Sequence, residues 1–393
     1  MIDYRKLGAI SEKPHTIFEV DGKMVAEYVF TRDGFSDLYS ILYLKRAPTH
    51  ETNVKSIELQ NPFFPVRNTG SPQASQLLRR HVKTSLIPQG KDFLESRTTL
   101  YFNDDCSVGI AKFSETSSSF FSNGDSDEMY FVAEGSGTLQ TIFGEIDYGP
   151  SDYLYIPKSV PFRFLPKGPQ YLMAIEGRKS FGIPKEFRVP QGQLRMDAPY
   201  THRDFRGPER LLSLKPTENF PIIIMRGGFL SSHEYTEWPY QCVGWDGWVY
   251  PFAFNVNAYQ PKTSNIHLPP TVHAAFSGQN FYIMNFVPRI VDYHPKAVPC
   301  PYPHHNVDCD ELLFYVHGEF TSRKNISQYS MSFHPGGVPH GPHPEKYEAS
   351  VGARETNELA IMVDTFAPLR STEAAMKYED KDYHYSWNSK EHL

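Results

Sequence analysis

From Tyr101 onward the chain runs in short apolar stretches punctuated by Gly, Pro, Asn and Asp: YFNDDCSVGIAKF, EMYFVAEGSGTLQTIF, DYLYIPKSVPFRF and YLMAIEG. Runs of this length, rich in aromatic and β-branched residues and closed by turn formers, predict strands of a sandwich or barrel. Between about Gln191 and Phe220 the pattern lapses into a polar stretch rich in Arg and Pro. It resumes with WVYPFAFNV, FYIMNFVPRIV, ELLFYVHGEFTS, YSMSFHP and LAIMVDTF. The first hundred residues mix strand-like pieces, Met24 to Val29 and Ser40 to Leu44, with one helical stretch expected near Gln73 to Arg80 behind Ser71 and Pro72. The tail from Ser371 is helix-prone and then charged. This rhythm divides the chain into an extension over 1–100, a first barrel over 101–220 and a second barrel with its tail over 221–393, beginning near Pro221.

Composition agrees with that division. A chain of 393 residues exceeds what one hydrophobic core usually organises. Its 32 prolines, 26 glycines, 24 tyrosines and 28 phenylalanines favour short strands and tight turns over long helices. A formal charge of −6, spread over both signs, gives no nucleic-acid surface. No apolar run approaches the roughly 20 residues that span a bilayer, so no membrane partner is expected. Cys106, Cys242, Cys300 and Cys309 are scattered without a CxxC, and the first ten residues carry charges where a signal peptide needs an apolar core. Reduced thiols in a cytoplasm are the expectation.

The chain contains one phrase twice. Asp127-Glu128-Met-Tyr-Phe131-Val-Ala-Glu-Gly135 matches Asp310-Glu311-Leu-Leu-Phe314-Tyr-Val-His-Gly318 at Asp, Glu, Phe and Gly. Downstream of each copy a second phrase matches, Pro157-Lys-Ser-Val160-Pro161-Phe162 against Pro335-Gly-Gly-Val338-Pro339-His340. An internal repeat of this kind outranks local propensity as a guide to architecture.

The copies differ in their chemistry. Nine of the sixteen histidines lie between His267 and His343, about a fifth of the chain. In the second copy His304, seven residues before Glu311, and His340 on the later phrase add two imidazoles to one carboxylate. That is the donor set of the facial triad of iron(II) oxygenases, which leaves positions open for substrate and dioxygen. The first copy keeps Glu128 but has Phe121 and Phe162 at the histidine positions. It is therefore expected to be a structural partner without metal. On a strand residues 304 and 306 share a face, which favours His304 over His305 as the ligand.

The phrase E-x6-G followed by P-x-G-x-P-H resembles the cupin superfamily, which implies an all-β bicupin: two double-stranded β-helix, or jelly-roll, barrels with N-terminal and C-terminal elaborations. More narrowly, His267-x-x-Pro270-Thr-Val, Phe286-x-Pro288-Arg289, His304-x-Asn306 leading to Glu311, and His334 before Pro339-His340-Gly341-Pro342 are similar to the homogentisate 1,2-dioxygenase family. The resemblance covers roughly residues 260 to 365. It implies Fe(II) held by His304, Glu311 and His340, His267 as the acid/base, and His334 as a substrate contact. The activity implied is conversion of homogentisate and O2 to maleylacetoacetate in tyrosine and phenylalanine breakdown, by a homo-oligomer built on trimers. Phe320 stands where the resemblance implies a substrate-binding tyrosine.

Some assignments stay open at this stage. His273 is the alternative acid/base, and Arg289 or His334 are the candidates to bind a substrate carboxylate. Glu128 reads as a leftover of duplication, making a structural hydrogen bond or ion pair. The same barrel and metal would also suit ring cleavage of gentisate or a zinc-dependent sugar isomerase, and a non-catalytic bicupin is the reading from another class.

Overall fold

The structure, a computed structural model, describes residues 2–64, 76–215, 218–320, 322–323 and 326–388. Strands dominate and the helices are single turns, the longest being Glu373–Lys377. Among the described residues no helix is long and apolar enough to cross a membrane.

Two sheets make the first barrel. One has seven strands and includes Gly137–Thr141, Phe162–Pro166, Phe120–Asn123 and Ile222–Arg226; the other has eight and centres on Asp127–Glu134 between Asp152–Ile156 and Gln170–Gly177. Tyr130, Phe131, Tyr153, Tyr155, Phe113, Phe120 and Phe121 are fully buried. Each such ring contributes about 1.5–3 kcal/mol through its removal from water. The second barrel is built on a six-stranded sheet in which Asp310–His317 lies between Ser330–His334 and Leu359–Thr365. Its opposite wall is largely irregular, with the short pair Arg289–Ile290 and Glu355–Thr356 and the bridge between His304 and His340. This is an all-β bicupin in which the opened wall of the second barrel carries His304 and His340.

Chain order and barrel membership do not coincide. Ile222–Arg226 and Phe252–Asn255, which follow Pro221, hydrogen-bond into the two sheets of the first barrel, against Phe120–Asn123 and Asp152–Ile156. The N-terminal segment supplies strands to both barrels: Asn53–Ile57 and Thr98–Phe102 to the first, Arg80–Val82 to the second. Of the helix expected near Gln73 to Arg80, the part up to residue 75 lies outside the described residues. From Gln76 to Arg79 the backbone is not helical, and Arg80 opens a strand that pairs with Phe333 at the edge of the second barrel's sheet.

Polar links between the barrels accompany one continuous core. Tyr153 donates its hydroxyl to Asn285 Oδ1 at 2.5 Å, and Gly182 pairs with Ser277. The four cysteines are free.

Candidate metal centre

The repeated phrase has a mechanical meaning. In each copy the aspartate accepts a backbone N–H from the second residue of the later phrase: Asp127 from Lys158 at 2.9 Å and Asp310 from Gly336 at 2.7 Å. The turn that carries the later phrase is thereby anchored beside the glutamate strand. Four positions then superpose by register. Phe121 is opposite Phe162 in the first barrel, as His304 is opposite His340 in the second; Glu128 faces Ile156 where Glu311 faces His334.

In the second barrel His304, Glu311 and His340 each present one ligand atom, and these atoms lie within 4.8 Å of one another. His340 Nε2 is 3.0 Å from Glu311 Oε2, and His304 Nε2 is 3.5 Å from Oε1. Their Nδ1 atoms face backbone carbonyls, Tyr302 at 3.0 Å and Val338 at 2.9 Å. A carbonyl can only accept, so each Nδ1 carries the proton and each Nε2 turns its lone pair toward the carboxylate. Two converging lone pairs and a carboxylate, with donor groups already oriented, fit a divalent cation. His305 is exposed and outside this group.

Glu311 is nearly buried, and ring nitrogens of His304, His334 and His340 lie within 3.5 Å of its carboxylate oxygens. Asn306 donates its amide to Glu311 Oε1, fixing the carboxylate orientation. The same contact occurs in the first barrel, where Asn123 donates to Glu128 at 3.0 Å.

His334 is fully buried, its ring stacked on His340 at 4.6 Å with Nδ1 3.5 Å from Glu311, and neither nitrogen has a hydrogen-bond partner. Burial pushes it down to about 3, so its imidazole is neutral. Asp364, on the neighbouring strand, is the register partner of Glu311. Burial and the charge of Glu311 raise its carboxyl.

The other candidates separate by environment. His267 stands at the surface end of the site, its Nδ1 3.0 Å from Asp292 Oδ2, its ring edge-on to Tyr302 at 5.3 Å; Tyr302 in turn meets the ring of His304. His267, Asp292 and Tyr302 line a cavity of about 270 Å³. His273 is buried against Phe286, and burial, with Arg289 and His267 nearby, pushes it down to about 3. Arg289 is held by Glu358 at 3.5 Å and donates to the Val287 carbonyl. His343 is buried beneath Trp387 at 4.0 Å, with Ser386 2.7 Å from its Nε2. The tail thus folds back onto the ligand strand.

Asp292, Asp364 and Arg323 were not singled out in the sequence. Asp364 had a signal: Ala174-Ile175-Glu176 and Met362-Val363-Asp364 hold corresponding places in the two copies, each acid opposite the repeated glutamate. Asp292 had none, because its pairing with His267 is made by two loops.

The first barrel fills the equivalent place with a cation from the chain. Arg97, 3% exposed, donates to Glu128 and reaches Glu176 Oε1 at 2.7 Å. Phe64, Phe93, Phe121 and Tyr130 surround its guanidinium within about 6 Å. Aromatic rings thus fill the place of the metal site, with a buried ion triad at their centre.

No family model matches the chain. A protein of Saccharolobus solfataricus named "Putative dioxygenase" is 34% identical over 98% of this chain and 99% of its own length. Homogentisate 1,2-dioxygenase of Bradyrhizobium diazoefficiens is 27% identical over 69% of this chain and 63% of its own, so the chain spans less than two thirds of that relative. Among solved structures, a cupin 2 conserved barrel domain protein from Leptotrichia buccalis covers 75% of this chain and all of its own, at 9% identity and a TM-score of 0.35. The chain belongs to the family of the Saccharolobus dioxygenase, a branch of the cupin-type dioxygenases related to homogentisate 1,2-dioxygenase.

Proposed function

We propose that this protein is an Fe(II)-dependent dioxygenase that opens the ring of homogentisate to give maleylacetoacetate, acting in the cytoplasm in tyrosine and phenylalanine breakdown. The observation that carries the reading is the convergence of His304 Nε2, His340 Nε2 and the Glu311 carboxylate with both Nδ1 atoms tied to carbonyls. Two nitrogens and one oxygen on one side of an ion leave sites for an aromatic diol and dioxygen. Bound Fe(II) supplies the one-electron chemistry that lets triplet dioxygen react with a singlet phenol.

The residues of the chain handle protons and orientation. His267 gives its Nδ1 proton to Asp292 as a hydrogen bond, which leaves Nε2 to accept a proton from a phenolic hydroxyl. The aspartate steadies the imidazolium that forms, as a carboxylate does for any histidine base. His273, dry and kept neutral by burial, is a poor proton carrier, and we assign it to the pocket wall. His334, with both ring nitrogens unpartnered beside the ligands, is assigned as a hydrogen-bonding contact to the substrate. The expected homo-oligomer, a trimer or dimer of trimers, belongs to the same proposal and is read by sedimentation.

The test is anaerobic reconstitution with Fe(II), addition of homogentisate, then oxygen, following its uptake and the ultraviolet absorbance of the ring-opened product. Rapid uptake that vanishes in His304→Ala and Glu311→Ala is expected. Uptake with gentisate and none with homogentisate would replace the substrate and keep the iron. Inactivity with every dihydroxy aromatic would overturn the reading in favour of a zinc isomerase or a binding protein.

A further inference from the structure

The second barrel buries a carboxylate that no donor meets. Asp364 is 8% exposed, and its Oδ1 is buried with no hydrogen-bond partner among the described residues. Asp310, the buried aspartate on the ligand strand, is by contrast fully used, accepting the backbone N–H groups of Gly336 and Leu369 at 2.7 Å each. A buried carboxylate without donors is costly, and a cation beside it is the usual compensation.

The position of Asp364 says which cation. It lies opposite Glu311 in the antiparallel pairing of Asp310–His317 with Leu359–Thr365, so the two side chains leave the sheet on the same face. His334 holds the matching place on the other side of Glu311. The charges that Asp364 feels are those of Glu311 and His304, two of the three ligands. Its oxygens are not part of the group that converges within 4.8 Å, so it stands beside the ligands and does not join them.

The first barrel shows the same pair of acids with a cation in place. Glu128 and Glu176 are opposite each other in register, and Arg97 bridges them, donating to Glu128 and reaching Glu176 Oε1 at 2.7 Å. Asn123 donates to both, at 3.0 and 2.8 Å. In the second barrel Asn306 donates to Glu311, and among the described residues no arginine or lysine lies within 4 Å of Glu311 or Asp364. The acid pair is kept while the cation of the chain is not.

We propose that Asp364 is a second carboxylate of the metal centre, standing behind the ligands, whose charge adds to that of Glu311 and raises the affinity of the site for a divalent cation. The inference rests on the metal-centre part of the reading above. Two buried negative charges side by side repel each other, and an ion of charge two relieves both.

The test measures Fe(II) affinity of the full chain anaerobically, by competition with a chromophoric chelator. Asp364→Asn should weaken binding about 10–100-fold, the usual loss when a group behind the ligands is removed. Asp364→Glu, which places there the residue type of the first barrel, should keep most of the affinity. Urea unfolding of the metal-free protein separates charge from packing: Asp364→Asn should unfold at the same or a higher urea concentration than wild type, because it removes a buried charge that has no partner. Equal Fe(II) affinity of Asp364→Asn and wild type, or a urea midpoint that falls along with the affinity, would overturn the proposal. Absence of Fe(II) binding by the wild type would overturn it together with the assignment of His304, Glu311 and His340. Fe(II) binding that depends on Asp364, without turnover of any diol, would support the proposal and leave the dioxygenase reading as the one that fails.

Discussion

His304 and His340 exchange both backbone hydrogen bonds, His304 N–H to the His340 carbonyl at 2.8 Å and the reverse at 2.7 Å. The two imidazoles are thus carried by a single antiparallel bridge, with ring centroids 4.5 Å apart, before any ion is considered. A site preformed in this way loses little entropy on binding metal. Its affinity should therefore respond to the orientation of Glu311, the one ligand on a different strand.

Asn306→Leu removes the amide that holds Glu311 Oε1 and leaves the three ligands in place. Iron affinity is expected to fall about 10–100-fold, the usual effect of deleting a partner behind a ligand. Competition with a chromophoric chelator measures it. An unchanged affinity would show that the strand alone orients the carboxylate.

His267→Gln should lower kcat by about 10²–10⁴, the range of a lost general base, with iron content unaltered. Asp292→Asn should give a smaller loss. Comparable rates for His267→Gln and wild type would transfer the role to another residue.

His273 ties stability to pH. Its folded-state value lies near 3, below the ordinary 6.5, so its neutral form favours the fold fully above about pH 6.5. As pH falls from there toward 3 the unfolded chain takes up a proton that the folded chain refuses, and stability declines by up to a few kcal/mol, roughly. His273→Phe should flatten that decline in urea titrations of the metal-free protein between pH 6.5 and 4. A slope identical to the wild type would mean that the imidazole is not dry.

Arg97→Met strands Glu128 and Glu176 in the first barrel, and a loss of about 3–5 kcal/mol is expected from chemical denaturation. Arg97→Met combined with Glu128→Gln and Glu176→Gln removes the charges together and should recover most of it. Failure of the combined variant to recover would place the loss in packing among the surrounding rings.

The strand rhythm, the doubled phrase and the donors His304, Glu311 and His340 could be named along the chain, because each depends on residues near one another in sequence or repeated at matching positions. His304 and Glu311 are seven residues apart, and His340 ends a phrase whose first-barrel copy marks its place. The fate of the first copy was half readable: Phe121 and Phe162 declare the missing imidazoles, but Arg97 comes from outside the repeated phrases, and its capture by Glu128 and Glu176 is a contact across sheets. The start of the second barrel, set near Pro221 by the return of the rhythm, is followed by two strands that pair in the first barrel. Apolar pattern states that a segment is a strand and is silent on which sheet receives it.

The sequence by itself determined which donor atoms exist and at what spacing, since ligand chemistry belongs to side-chain type. Tertiary structure alone decided which groups are dry, which charges are met and which face each other. It separated His273 from His267 by burial, joined Asp292 to His267 and set Asp364 beside Glu311. It also buried Arg323 against the Gly341 carbonyl and the Trp387 ring, because the solvation and pairing of a charge depend on neighbours that a strand pattern does not name.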